Sequence, residues 1–166
     1  MKILLIGATG QLGQTLIKTK PQNIEIVECS RSNIDLSNLE LINDFILNSN
    51  ANFVINSAAY TAVDKAELES ELAYQINAEA PNAIANAVSK TKGSLIHIST
   101  DFVFDGTKNI PYNPKDDVKP LGIYGKSKAK GEEYVLKLKN NYVVRTSWLY
   151  GDFGKNFCLT MLRLHK

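Results

Sequence analysis

The fold class predicted by this sequence is α/β with a doubly wound parallel sheet, and three observations carry it. The first is the opening stretch Lys2-Ile3-Leu4-Leu5-Ile6-Gly7-Ala8-Thr9-Gly10-Gln11-Leu12-Gly13. Its apolar run has no polar break, as in a strand covered on both faces, and a glycine-punctuated turn follows at once. The second is an alternation of strand and helix kept along the whole chain, with five strands. The third is the placing of small and hydroxyl side chains directly after strands, at the sheet edge where such folds bind ligands.

Taken in order, a strand, a glycine turn and the helical segment from Gln14 to Lys18 form the opening of a dinucleotide-binding, Rossmann-type fold. Gly7 supplies backbone angles closed to other residues. Gly10 lets the main chain approach a pyrophosphate, and Gly13 lets the helix pack close to the strand. Free N–H groups at the helix start then meet the phosphate charge. The spacing is G-x-x-G-x-x-G; a purely structural strand-to-helix turn is the alternative reading.

Residues 24–28 read as a second strand, followed by Cys29-Ser30-Arg31-Ser32. The end of this strand meets the adenosine ribose in such folds, and Arg31 suits a 2′-phosphate and therefore NADP. A solvated loop arginine is the alternative. Residues 38–48 read as a helix with Leu39, Ile42, Phe45 and Ile46 on one face, capped by Asp35 or Ser37. Asp35-Leu36 stands where the adenine ring is often held. Residues 53–55 are a short buried strand, and Asn56-Ser57-Ala58-Ala59-Tyr60 lets a flat cofactor pass over the sheet edge.

An alanine-rich helix is expected over residues 70–91, with Pro81 in a first turn or at a kink and Asn77 in a buried hydrogen-bonding role. Residues 94–98 form the next strand, ending in Ser99-Thr100-Asp101. His97 inside it reads as a satisfied core histidine. Residues 102–121 are loop, broken by Gly106, Pro111, Pro114 and Pro120. Tyr124-Gly125-Lys126-Ser127-Lys128 opens a helix running to about Lys139. Residues 142–146 are a strand, followed by Ser147-Trp148-Leu149-Tyr150-Gly151, and residues 156–166 read as a final helix.

Length and composition bound the function. The chain has 166 residues, 44% hydrophobic and 22% charged, enough for one domain with a real core. Its net charge of +2 gives no argument for nucleic acid. Cys29 and Cys158 are far apart with no CxxC spacing, which points to a reducing cytoplasm and not to a disulfide or zinc framework. The chain is expected to be cytoplasmic, with no signal peptide and no run near the roughly 20 apolar residues that span a bilayer.

Tyr124 and Lys128 are four apart, on one face of a helix. A phenol has a pKa of about 10. A neighbouring ammonium favours phenolate and lowers that value. Tyr124 is then placed to give a proton to a carbonyl oxygen as hydride arrives from a nicotinamide, Lys128 to hydrogen-bond the nicotinamide ribose, and Thr100 to polarise the same carbonyl. With seven tyrosines and many lysines, a Y-x-x-x-K match alone is also consistent with a solvated helix face. The order of the glycine turn, the Ser-Thr strand end and the Tyr–Lys helix is what makes the pattern specific.

On these segments, together with NSAAYTAVDKAE at 56–67, STDFVFDG at 99–106, PLGIYGKSK at 120–128 and RTSWLYG at 145–151, the chain resembles the extended short-chain dehydrogenase/reductases. Within them it is most similar to the dTDP-4-dehydrorhamnose reductase family, over essentially its whole length. The resemblance implies NADPH- or NADH-dependent reduction of the 4-keto group of dTDP-4-dehydro-β-L-rhamnose to dTDP-L-rhamnose, for surface polysaccharide. It implies Tyr124 as proton donor, Lys128 as its partner and Thr100 as the third catalytic group. It puts Thr100, Asp101 and Trp148 against a nucleotide-sugar substrate. It puts Gln11, Leu12, Asp35, Leu36, Ala58, Ala59 and Tyr60 against cofactor. Phe102 stands where the family often has Tyr, and Thr15 where some members carry a metal-binding Glu, so no metal is expected.

Members of that family are longer. Residues 1–166 are expected to be one NAD(P)-binding domain, truncated relative to the family and lacking the carboxyl-terminal part that supplies most of the nucleotide–sugar pocket. Uncovered apolar surface at the sheet edge would then favour self-association as a homodimer. The competing readings are a non-catalytic cofactor-binding protein, as in the methionine adenosyltransferase regulatory subunit that resembles the same family, and an inactive remnant.

Overall fold

β1 (Lys2–Ile6) is an interior strand of a parallel sheet in the computed structural model, which describes residues 1–165. Leu4, Leu5 and Ile6 are fully buried, as the unbroken apolar run requires. β1 pairs on one side with β2 (Glu25–Cys29) and on the other with β3 (Phe53–Asn56). β4 (Ser94–Thr100) and β5 (Asn141–Thr146) extend the sheet to the order β2-β1-β3-β4-β5. The winding direction reverses between β1 and β3, and a crevice opens there at the carboxyl ends.

Register sets the shape of that crevice. Ile6, Cys29, Asn56 and His97 stand level across four strands. β4 runs on for Ile98, Ser99 and Thr100, which pair only with β5. Thr100 therefore projects beyond the end of β3.

The helices are α1 (Gln11–Thr19), α2 (Glu40–Ser49), the short α3 (Val63–Ala66), α4 (Ser70–Tyr74), α5 (Ala80–Ser89), α6 (Ile123–Leu136) and α7 (Phe157–Leu164). One continuous core joins Leu4, Ile6 and Leu95 of the sheet to Ile42 and Ile46 of α2, Ile84 of α5 and Val135 of α6. Buried alanines at 73, 78, 80, 85 and 87 let α4 and α5 lie close against their neighbours.

Two expectations change. The helix expected over 70–91 is not uniform: α4 passes into α5 through a π-helical turn, Gln75–Glu79, where Ala80 N–H donates to the carbonyl of Gln75, five residues back. Pro81 follows directly on that π turn, in the first turn of α5, at the irregularity in winding that accommodates its missing N–H. α2 has no side-chain cap. Asp35 instead closes an Asx turn, its Oδ1 accepting from Ser37 N–H at 2.9 Å and from Ser37 Oγ at 2.8 Å.

The long 102–121 segment is loop, as expected, apart from a single 3₁₀ turn at Asp101–Val103. It is held from outside: Arg145 stacks over the Phe104 ring at 4.9 Å and donates to the Pro114 carbonyl at 3.2 Å. Asn156 caps α7, accepting from Leu159 N–H at 3.0 Å. The expected end of that helix at Lys166 lies outside the described residues. β5 is an edge strand with Tyr142 and Val144 exposed, and α7 buries none of its residues.

Candidate active site

A cleft of about 660 Å³ crosses the carboxyl ends of β1, β3 and β4. Its floor at one end is the glycine turn. Gly7 has φ +86°, and a Cβ there would lie 2.7 Å from Ala58 N. Gly7 N–H and Ala8 N–H both donate to the Cys29 carbonyl, at 2.9 and 3.1 Å, tying the turn to β2. A Cβ on Gly13 would come within 2.3 Å of the Gly7 carbonyl oxygen, so α1 starts against the turn itself. α1 begins after Gly10 with no side chain over its first N–H groups, a start suited to phosphate.

The β2 side of the cleft carries Arg31, Asp35 and Leu36. Arg31 is exposed and reaches Asp35 Oδ2 with Nη2 at 3.2 Å and Nε at 3.3 Å. The Asp35 carboxyl is held below its ordinary value, first by the two Ser37 hydrogen bonds and then by Arg31.

The other end of the cleft gathers Thr100, Asp101, Tyr124, Lys128 and Trp148. Thr100 Oγ1 donates to Asp101 Oδ1 at 3.1 Å and accepts from Phe102 N–H at 3.2 Å. Ser147 Oγ donates to the other Asp101 oxygen at 2.6 Å. Tyr124 stands in the first turn of α6, its ring edge-on to Phe102 at 5.5 Å. Its phenol is raised above the ordinary value: burial is the largest cause, the Thr100 hydroxyl opposes it, and Asp101 adds to it. This corrects the expected lowering by Lys128, because desolvation of the phenolate dominates. Tyr124 is thus protonated at neutral pH, the form that donates.

Lys128 is nearly sealed, at 2% exposure. Its Nζ donates to the Ile98 carbonyl at 2.6 Å and lies 3.4 Å from His97 Nε2. Burial lowers it to about 8, against the pull of Glu132 one turn along α6. Trp148 projects at the mouth, 76% exposed, with φ +51° and its ring edge-on to Phe157 at 5.6 Å. A bulky residue in the left-handed region marks stored strain beside the cleft.

The sequence model of the RmlD substrate binding domain family matches residues 1–166. The chain belongs to this family. It is 42% identical over 168 residues to the dTDP-4-dehydrorhamnose reductase of Aggregatibacter actinomycetemcomitans, covering 99% of this chain and 57% of that protein. The Salmonella typhimurium dTDP-4-dehydrorhamnose reductase is 40% identical over 171 residues, again with 57% of its length covered. The crystal structure of a dTDP-4-dehydrorhamnose reductase from Clostridium acetobutylicum superposes with a TM-score of 0.94 at 44% identity, over 99% of this chain and 59% of that one. The Bacillus anthracis dTDP-4-dehydrorhamnose reductase in complex with NADP gives 0.93 at 38% identity, over 98% and 59%. The chain thus spans somewhat over half the length of the relatives it matches.

Within this RmlD-family chain, two predicted site residues fall outside the cleft lining. Gly13 lies beneath the turn and acts through packing. Tyr60 turns away: its hydroxyl donates to Glu69 Oε2 at 2.6 Å, while its backbone N–H and carbonyl bind the Asn77 side chain at 2.8 and 3.0 Å. Asn77 holds the buried role expected of it, and Ser127 Oγ takes its remaining donor at 3.1 Å. Sequence reasoning missed Ile76, Ser99 and Lys155 in the lining, whereas Ser57 lies in the Asn56–Tyr60 stretch expected at the cofactor. The signal for Ser99 was present, next to Thr100 at a strand end; its buried Oγ has no hydrogen-bond partner. Lys155 sits in a loop with no pattern to mark it. Among the described residues no three His, Cys, Asp or Glu side chains are grouped for a metal ion, and no helix is long and apolar enough to cross a membrane.

Proposed function

We propose that this chain carries the cofactor-binding and catalytic groups of an NAD(P)H-dependent reductase acting on dTDP-4-dehydro-L-rhamnose, giving dTDP-L-rhamnose. The observation that carries the reading is the meeting of Thr100, Tyr124 and Lys128 at one end of a cleft whose other end is the glycine turn. The fit to a dinucleotide rests on backbone space. Added Cβ atoms at Gly7 and Gly13 would collide with the turn or its neighbour, and the start of α1 is uncapped.

When bound, the reduced nicotinamide supplies the hydride. The chain's own residues do the rest. Thr100 Oγ1 is anchored by Phe102 N–H, and rotation of its proton from Asp101 Oδ1 to the 4-keto oxygen lets it polarise that carbonyl. Tyr124, protonated at neutral pH, gives its proton to that oxygen as the carbonyl carbon is reduced, so the ketone becomes an alcohol. Lys128 then faces a phenolate, which its proton stabilises. Arg31, Asp35 and Leu36 take the adenosine end and Gln11 and Leu12 the pyrophosphate; Ala58 and Ala59 flank the ring path. Asp101 and Trp148 face the sugar nucleotide. The exposed apolar residues of β5 and α7 support a self-associating chain, and the soluble sugar nucleotide supports a cytoplasmic setting.

Titration calorimetry with NADPH and NADH tests the cofactor half, with tighter NADPH binding expected from Arg31. Incubation with the keto sugar, followed by the loss of reduced-nicotinamide absorbance, tests the reaction. Failure to bind either nucleotide overturns the proposal. Binding without turnover returns the chain to the non-catalytic reading.

A further inference from the structure

His97 is a fully buried imidazole that the reaction above does not use, yet it touches Lys128. Its surroundings fix which ring nitrogen carries the proton. Asn56 is equally buried, and its Oδ1 accepts from Ala58 N–H at 3.2 Å. That contact turns Asn56 Nδ2 toward His97 Nδ1, at 3.2 Å. An amide NH₂ only donates, so Nδ1 must be the acceptor and a neutral ring must carry its hydrogen on Nε2. Nε2 faces Lys128 Nζ at 3.4 Å.

An Nε2–H and an ammonium cannot satisfy one another, since both are donors. A neutral amine can: it accepts from Nε2–H while still donating to the Ile98 carbonyl at 2.6 Å. We propose that Asn56 and His97 form a buried positioning relay in which Asn56 sets the ring tautomer and His97 thereby favours the uncharged form of Lys128. Of the other charged groups at this end of the cleft, Asp101 follows β4 with its two carboxylate oxygens engaged by Thr100 and Ser147. From α6 there are Tyr124 and Glu132, the latter engaged by Arg145 of β5 at 2.6 Å. β4 adds only His97 and the Ile98 carbonyl, the π turn brings the neutral Asn77 by way of Ser127, and β3 and α5 contain no titratable side chain. Burial also lowers both Lys128 and His97, in the same sense as the relay.

The functional part rests on the reading of Tyr124 and Lys128 given above. A proton held loosely by Lys128 can return to the Tyr124 phenolate, by way of a bridging hydroxyl or water, after that residue has protonated the ketone. This leaves the phenol restored and a neutral amine, which Nε2–H accommodates.

The tautomer is measured directly by nitrogen NMR on the chain labelled with ¹⁵N-histidine; His165 is the only other histidine. Hydrogen on Nε2 at neutral pH is expected, and hydrogen on Nδ1, or on both nitrogens, overturns the proposal. In Lys128→Met the same tautomer must persist, because Asn56 sets it; a flipped ring overturns the proposal. Asn56→Asp puts a carboxylate on Nδ1, so the hydrogen should move there and the Lys128 titration should rise by about one pH unit. An unmoved lysine overturns the relay. None of these readouts needs turnover, so an inactive chain with hydrogen on Nε2 keeps the relay and removes the reductase reading.

Discussion

Lys128 Nζ donates to the carbonyl oxygen of Ile98 at 2.6 Å, so α6 is pinned to the projecting end of β4 by a cation withdrawn from water. Desolvation lowers that cation to about 8 in the folded chain, against 10.5 when exposed. The unfolded chain binds more protons between those values, so stability rises with pH across that window. The full penalty is present at neutral pH. Lys128→Met is therefore expected to be more stable than the parent at pH 7, by up to ~3 kcal/mol. Urea unfolding should show the gain shrinking toward zero as pH approaches 10.5.

Tyr124→Phe removes the proposed proton donor and leaves the ring that packs on Phe102. Turnover of the keto sugar should fall by about 10²–10⁴-fold, while the calorimetric affinity for NADPH stays within about twofold. In the parent, this phenol stays protonated through neutrality because its value is raised. Its loss as a donor should limit the rate only above pH 10.0, which a pH–rate profile checks.

Gly13→Ala drives a methyl group to 2.3 Å from the Gly7 carbonyl oxygen. The backbone of the turn must shift, because carbonyl oxygens cannot rotate away as side chains do. A loss of about 1–3 kcal/mol in stability is expected, with weakened nucleotide binding in the same variant.

Glu132 accepts three hydrogen bonds from Arg145, from Nε to Oε1 at 2.9 Å and Oε2 at 3.2 Å and from Nη2 to Oε2 at 2.6 Å, with only 4% and 19% of the two side chains exposed. Glu132→Ala leaves the guanidinium without its counter-charge and frees the anchor on Phe104 and Pro114. The cost should be about 3–5 kcal/mol in chemical denaturation. Protease sensitivity should rise within residues 104–121.

Cys29 is buried and its thiol is pushed up to about 11, whereas Cys158 is exposed. A thiol reagent at neutral pH should modify one cysteine per native chain, at position 158. The second should react only on unfolding.

The parallel sheet and the glycine turn were legible because unbroken apolar runs and glycine spacing act locally. The Thr100–Tyr124–Lys128 grouping was legible for the same reason: strand ends and helix starts are marked in sequence, and the fold brings them to one edge. What escaped reading depends on contacts between distant segments. Tyr60 follows Ala58-Ala59 in sequence, yet Glu69 and Asn77 turn it out of the cleft. The phenol's direction of shift was misjudged because burial of Tyr124 by Phe102 and its neighbours cannot be seen in a Y-x-x-x-K spacing. The capping expected of Asp35 failed because Ser37 offered it two nearer donors.

The wide turn at Gln75–Glu79 holds more chain per revolution than the helices on either side of it. That extra length swings Asn77 to a bearing from which one amide grips both the backbone of Tyr60 and the hydroxyl of Ser127. A version shortened by a single residue here would wind more evenly and lose the clamp joining the β3 exit to α6. Irregular winding at this point is what keeps the two walls of the crevice in step.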